Sequence, residues 1–420
     1  MARKKKEASE SIEVTDRESK LRAVEKLAEQ LNKEYCKIHN IDPDSGQGYV
    51  YCSAKPMRGV RAYSTRVPSL DIATGIGGIP RNRVTEIFGP ERSGKTTVAL
   101  QIAAVAQKAG DIVLYIDAEQ ALDVEYCRML GLDVDDKSFV IVQPSFGEEG
   151  LHVVLKFLNQ KLADLVIVDS LASLIPKSTL DAIMEDSVAI QRVGERARML
   201  TKFIDAAVSL VNTSDSTLLL LQQMRTKITY MGAQETTASP LAVKHEESMR
   251  IEMRKVSQKN QEFTGNASDE TMDGRAQITR ATVVKNKVSK PFRQSLFDVV
   301  FGEGADYASN LLATCVAKGL PDVIMGGTGW VTVVDPMTGE ELAKFRKTQA
   351  REYLRGHEDV AVYLNNKLSQ IVGINLYDPF NPDKEIGVID IPDTIEDIDQ
   401  AFDQEYVDVE SKTEDQSETD

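Results

Sequence analysis

The stretch VTEIFGPERSGKTTVALQIAAVAQKAG, residues 84–110, decides how this chain is read. It opens with a short apolar run, VTEIF (84–88). It then passes through Gly89-Pro90-Glu91-Arg92-Ser93-Gly94-Lys95-Thr96 and continues into a helix-length segment. The spacing is GxxxxGK[ST], in the strand-to-helix context that the motif requires. Its glycines let the backbone fold tightly enough for N–H groups to surround phosphates, and the helix N-terminus adds a favourable dipole. Lys95 is expected to reach the β- and γ-phosphates of ATP, and the Thr96 hydroxyl to coordinate Mg²⁺. Thr97 is either part of the same cradle or only a helix residue.

Further runs of the same kind follow: IVLYI (112–116), FVIV (139–142), LVIVD (165–169) and TLLLL (217–221). They are continuously apolar, as strands buried on both faces of a parallel sheet are. Helix-length stretches separate them. In the last of these, Ile190, Val193, Ala197, Leu200, Ile204, Val208 and Val211 mark one face. Such alternation predicts an α/β domain with a mainly parallel, twisted sheet and right-handed crossovers. Asp169 ends its apolar run, which places a carboxylate at the ligand edge of the sheet, where it suits a Mg²⁺ partner. Asp117, Ala118 and Glu119 end another run. A carboxylate there is either a general base for an attacking water or a charge capping the next helix.

Beyond residue 245 the pattern changes. MRIEMRKV (249–256), AQITRATVVKNKV (276–288) and SLFDVVFG (295–302) read as successive antiparallel strands, with a polar loop at 258–275. From about 308 a small α/β unit is expected, with a helix at 308–318, a hairpin around 335–341 and helices near 348–371. Before the sheet, Leu21, Val24, Leu27, Leu31 and Tyr35 recur at helical spacing between Ser19 and His39. That amphipathic helix is separated from the core by the loop-like stretch 42–48. It folds back on its own domain or docks on a neighbouring subunit. The domains expected are thus 1–50, a tail and oligomerisation helix; 51–305, the nucleotide-binding core; 306–390, a small C-terminal domain; and 391–420, an acidic disordered tail.

The net charge of −15 is unevenly spread. Residues 391–420 hold 12 acidic residues and one lysine, which leaves the other 390 residues at only −4. This tail is either a solubilising segment or an internal competitor for basic surface. Arg3, Lys4, Lys5 and Lys6 read as a solvated end or a loose phosphate contact. No apolar run follows them, so no secretory signal is read, and no run is long enough to span a membrane. The four cysteines are Cys36, Cys52, Cys127 and Cys315. They form no CxxC pair, which argues against a zinc site or disulfide framework and fits a reducing cytoplasm.

The segments IATGIGGIPRNRVTEIFGPERSGKTT, YIDAEQALDVEY, LVIVDSLASLIPK, LLLLQQMRTKI, QETT and VVKNKVSKPF occur in that order. Together they resemble the bacterial RecA recombinases, from the N-terminal helix to about residue 370. DAE-x-ALD and VVKNK-x-x-x-PF point to this branch rather than to P-loop proteins at large. The resemblance implies a RecA-type core and an N-terminal polymerisation helix. It implies an ATPase that forms helical filaments on single-stranded DNA and exchanges strands with homologous double-stranded DNA. It makes Glu119 the group that activates water, Asp123 and Tyr126 the brackets of the adenine, and Gln223 the sensor of the γ-phosphate. It sends Lys285 and Lys287 to the ATP of an adjacent subunit, as arginine fingers act in other NTPases. Two lysines two apart on a strand share one face. The competing reading is a pair of solvated strand-edge lysines.

The resemblance also implies two DNA-binding loops, at about 177–195 and 224–244. Arg198, Arg225, Lys227, Thr236 and Thr237 are then candidates for phosphate contacts, which hold DNA without reading its sequence. This chain departs from the family at Met231, at Ala238-Ser239-Pro240 and at His245-Glu246-Glu247, as a divergent or phage-encoded member would. Proline removes an N–H donor from the second loop. A hexameric helicase would share the phosphate loop but not the VVKNK segment. A regulator that binds nucleotide without turnover has no need of Glu119.

Overall fold

The computed structural model describes residues 17–39, 60–184, 194–229, 232–237, 241–256, 276–327 and 329–380. The expectations for 1–16, 258–275 and 391–420 lie outside the described residues, as do Cys52, Met231 and 238–240. The chain forms two units, Met1–Gly59 and Val60–Asp420.

In the first unit, α1 spans Arg17–His39. Ala28 and Cys36 are buried, whereas Leu21, Val24 and Leu27 of the expected apolar face are each more than half exposed.

The second unit is built on one sheet. In chain order its strands are β3 (Val84–Gly89), β4 (Val113–Asp117), β5 (Phe139–Val142), β6 (Leu165–Asp169), β7 (Thr217–Thr229), β8 (Gly232–Thr237), β9 (Met249–Lys255), β10 (Ala276–Asn286), β11 (Gln294–Val300) and β12 (Gly304–Ala305). A two-residue pair, β1 (Ala62–Tyr63) with β2 (Ile79–Pro80), precedes them. The order across the sheet is β12-β11-β10-β9-β3-β7-β6-β4-β5, with β8 paired to β7. From β9 to β5 all neighbours are parallel. The six residues of β3 and the five each of β4 and β6 are all buried, the polar Thr85 and Glu86 of β3 among them, as expected of strands covered on both faces.

One strand differs from its expected role. β9 does not merely open an antiparallel series; it is parallel to β3 and antiparallel to β10. It is the seam where the parallel sheet turns antiparallel.

Helices cover both faces. On one, α2 (Pro68–Thr74), α3 (Lys95–Lys108) and α4 (Val124–Met129) lie over a core containing Val98, Ile102, Tyr115, Ile167, Leu219 and Ile251. On the other, α5 (Gly147–Asn159) and α7 (Glu195–Ser214) enclose Leu114, Ile116, Val166, Val168, Leu218 and Leu220. The period-2 alternation of each strand thus feeds two cores at once. Between α5 and α7, α6 spans Lys177–Met184; α8 (Leu241–Glu246) comes after β8.

A third core gathers α9 (Tyr307–Ala317), the antiparallel strands β13 (Val323–Met325), β14 (Trp330–Val334) and β15 (Glu341–Arg346), and the helices α10 (Ala350–Gly356) and α11 (Glu358–Val372). Ile72 of α2 belongs to this core, and the Ser69 N–H donates to Asn310 Oδ1 at 2.9 Å.

Candidate functional site

The carboxyl ends of β3, β4 and β6, with Gln223 midway along the longer β7, bring the sequence-derived residues together. Gly89 closes β3 beside Gln223 of β7, and Asp117 of β4 stands opposite Asp169 of β6. The chain must leave β3 tightly. A Cβ on Gly89 would lie 2.0 Å from the Met253 carbonyl of β9, so that strand packs where any side chain would be. Arg92 and Gly94 take positive φ, 57° and 87°, and Gly94 caps α3. β10 holds the turn from behind: Gln277 Nε2 donates to the Arg92 carbonyl at 2.9 Å and Thr279 Oγ1 to that of Ser93 at 3.4 Å.

Within the loop, Lys95 Nζ donates to the carbonyls of Gly89 at 3.1 Å and Pro90 at 2.7 Å. Its side chain is folded back over its own loop and largely buried. Burial lowers the ammonium's pKa, while Asp169, Glu119 and Glu91 act the other way. Pro90, Glu91 and Arg92 form the outer rim, and Glu91 and Arg92 are exposed. Ser93 Oγ is buried with no hydrogen-bond partner among the described residues. Such an orphan is costly unless something supplies a partner.

Thr96 Oγ1 donates to Asp169 Oδ2 at 2.7 Å. Tyr115, from the middle of β4, donates its hydroxyl to the same oxygen at 2.8 Å. Burial raises the Asp169 pKa, and these two donors oppose the rise. Tyr115 was missed in the sequence; its only signal was a hydroxyl inside the apolar run IVLYI. The Asp169–Ser170 peptide bond is cis.

The open question about Glu119 has a local answer. The residue that caps α4 is Asp123, whose Oδ1 accepts from the N–H groups of Glu125 and Tyr126 at 3.0 and 3.1 Å. Asp117 closes the intervening loop by accepting from the N–H groups of Ala121 and Leu122 and from Gln143 Nε2. Glu119 does neither. Its Oε1 accepts from Gln223 Nε2 at 2.7 Å, Ser170 Oγ at 2.8 Å and Ser173 Oγ at 3.4 Å. Thr97 is more than a helix residue, since its hydroxyl meets that of the half-buried Tyr126 at 2.8 Å.

Lys285 and Lys287 are not at this edge. Lys285 pairs with Arg250 near the start of β9, at the opposite end of the parallel strands. Both lysines lie on the last carbonyls of α8. Lys285 Nζ donates to Lys244 O at 2.7 Å and His245 O at 2.9 Å; Lys287 Nζ donates to His245 O at 3.1 Å and Glu246 O at 3.4 Å. Cations are well placed at a helix C-terminus. Beneath them two fully buried carboxylates, Glu86 and Glu247, share the Arg250 guanidinium at 2.7 and 2.8 Å. Burial and the neighbouring Glu86 push the Glu247 carboxyl well above the usual range.

The two expected DNA loops come out differently. The first begins as helix α6, with 185–193 outside the described residues. The second is not an open loop. β7 and β8 form a hairpin in which Arg225 stands opposite Thr236 and Lys227 opposite Gln234, and α8 follows. Backbone pairing thus joins 224–229 to 232–237. Arg198 is exposed on α7.

The family model for the RecA N-terminal domain matches residues 33–306. Among curated proteins, the chain is similar to Protein RecA of a Nitratiruptor species, 36% identical over 80% of this chain and 92% of that one. It is also similar to Protein RecA of Lactococcus lactis subsp. cremoris, 37% identical over 80% of this chain and 82% of that one. A partial structural likeness exists to the RadB recombinase, with a TM-score of 0.43 and 20% identity over 58% of this chain and 98% of that one. With its phosphate loop, its acidic strand end and its matched length, the chain belongs to the RecA family of ATP-dependent recombinases.

Proposed function

We propose that this chain polymerises head to tail on single-stranded DNA and exchanges that strand with homologous duplex. ATP is held between the phosphate loop of one subunit and Lys285 and Lys287 of the next. The observation that carries the reading is the separation of the two sets within one chain: Lys95, Thr96, Asp169, Glu119 and Gln223 at one end of the parallel strands, the two lysines at the other. A contact between unlike ends of identical subunits is heterologous, and where its rotation does not close into a ring it gives a filament. The exposed Leu21, Val24 and Leu27 of α1 supply apolar surface for such a contact.

The residues present fit a nucleotide. The side-chain-free space at Gly89, the orphaned Ser93 hydroxyl and the positive-φ turn into α3 form a cradle of donors. Thr96 and Asp169 would hold Mg²⁺, which when bound neutralises charge on the phosphate oxygens. Asp123 and Tyr126 flank the base. Glu119 accepts a proton from water as the water oxygen bonds to the γ-phosphorus. The bond to the β-phosphate oxygen breaks, and its electron pair leaves with ADP. Arg198, Arg225, Lys227, Thr236 and Thr237 contact DNA phosphates. The protein acts in the cytoplasm, and no described helix is long and apolar enough to cross a membrane. The functional divisions are 1–50, 51–305, 306–390 and 391–420, the last tuning access of duplex through its charge.

Mixing two inactive variants tests the shared site. Lys95→Ala lacks its own phosphate loop and Lys285→Ala lacks the reaching cation. Randomly mixed filaments place intact loops against intact lysines at about a quarter of interfaces, so about a quarter of wild-type ATPase returns. No recovery in filaments that contain both variants contradicts the reading.

A further inference from the structure

The three donors on Glu119 all use one oxygen. Ser170 Oγ, Ser173 Oγ and Gln223 Nε2 converge on Oε1, and no described residue donates a hydrogen bond to Oε2. The two serines also lie 3.2 Å apart, oxygen to oxygen. They sit on the turn directly after Asp169, where the Ser173 N–H donates to Ser170 O at 3.1 Å and backbone bonds anchor the residues on either side of Ser170. The Leu171 N–H donates to Leu221 O at 3.0 Å and the Ala118 N–H to Asp169 O at 2.7 Å. Ser170 is 1% exposed, so its hydroxyl has no solvent alternative. Gln223 differs from the serines, because its family-based role sends it to the γ-phosphate. When it turns away, the serines are the donors that stay.

We propose that Ser170, backed by Ser173, is a positioning residue for hydrolysis: it pins Oε1 of Glu119 and leaves Oε2 as the oxygen that takes the proton from water. The inference rests on Glu119 being the base. A carboxylate held by hydroxyl donors cannot swing between rotamers. Loss of the donor leaves the base less well aimed, which lowers kcat and leaves ATP binding intact.

The test is steady-state ATPase, with kcat and KM for ATP separated, at saturating single-stranded DNA, for the full-length wild type, Ser170→Ala, Ser173→Ala, Ser170→Thr and Glu119→Gln. Ser170→Ala is expected to lose about tenfold in kcat with KM for ATP little changed, the worth of one charge-assisted bond. Ser173→Ala, at a longer and more exposed contact, lowers kcat the same way by less. It keeps the test alive if the buried substitution misfolds. Ser170→Thr keeps the hydroxyl and returns kcat toward wild type. An equal fall in Ser170→Ala and Ser170→Thr, or a loss carried by KM, marks a merely structural role and overturns the proposal. Both alanine variants matching wild type while Glu119→Gln is dead overturns it too, and leaves Glu119 as the base. An active Glu119→Gln removes the base reading and the proposal with it.

Discussion

Lys285 donates to the His245 carbonyl at 2.9 Å, and Lys287 reaches the same oxygen at 3.1 Å. Two ammonium groups thus share the end of α8, the helix that follows the β7–β8 hairpin. A phosphate arriving from a neighbouring subunit would compete with those carbonyls for the same donors. The β7–β8 pair is one of the two segments proposed to contact DNA, so under that proposal this competition would tie nucleotide to DNA through a single short helix. Lys285→Ala should therefore lower DNA-stimulated kcat by at least about 10²-fold, on the scale of other trans-acting cations. Binding of a fluorescent ATP analogue by the isolated subunit should stay near wild type. Undiminished turnover in this variant would return the pair to ordinary strand-edge lysines.

Glu119 faces the phosphate loop without capping any helix, so its removal should cost chemistry and little structure. Glu119→Gln is expected to reduce kcat by about 10²–10⁴-fold, the usual range for a general base. Filament assembly with ATP and single-stranded DNA should persist, and electron microscopy of the variant would show it. A variant that neither assembles nor binds ATP would make Glu119 a structural residue instead.

Gly89 has no room for a side chain, with the Met253 carbonyl 2.0 Å from where a Cβ would sit. Gly89→Ala must push β9 away from β3 or distort the loop. A loss of about 1–3 kcal/mol in urea unfolding is expected, together with loss of ATP binding. Gly110→Ala is the contrast. It meets nothing within 4 Å and carries only the strain of its positive φ.

Glu86 and Glu247 share Arg250 in a buried site, so full ionisation sets two negative charges against one guanidinium, offset only in part by Lys285 and Lys244 nearby. A carboxyl raised by burial binds its proton more tightly in the folded chain than in the unfolded one. Its contribution to stability is present below the ordinary carboxyl range and is lost as pH rises above it. Wild type should therefore lose stability between about pH 6 and about pH 9 relative to Glu247→Gln, whose amide is neutral throughout. Urea midpoints at the two pH values compare them, and parallel behaviour would mean that Glu247 is ionised across the range.

Much of this was legible in the sequence, for physical reasons. Continuous apolar runs mark strands buried on both faces, and GxxxxGK[ST] between a strand and a helix fixes where phosphates go. Asp169 was expected from its place at a strand end, whereas Gln223 was expected only from the family resemblance. Tyr115 was hidden because its hydroxyl sits inside an apolar run, where composition reads only core. The choice between base and cap stayed open in the sequence because Asp117, Glu119 and Asp123 are all carboxylates within seven positions, and only geometry separates loop closure from capping. The parallel pairing of β9 was invisible for another reason: strand direction depends on which neighbour the chain returns to. The hairpin at 224–237 was read as a loop because its polar composition carries no periodic apolar signal.

The most direct measurement is the ATPase rate with and without long single-stranded DNA, for wild type and Lys95→Ala. Strong stimulation by DNA in wild type, absent in the variant, is the result expected of a DNA-dependent recombinase whose chemistry runs through this phosphate loop. A wild-type rate indifferent to DNA, or a stimulated rate that survives loss of Lys95, would contradict it.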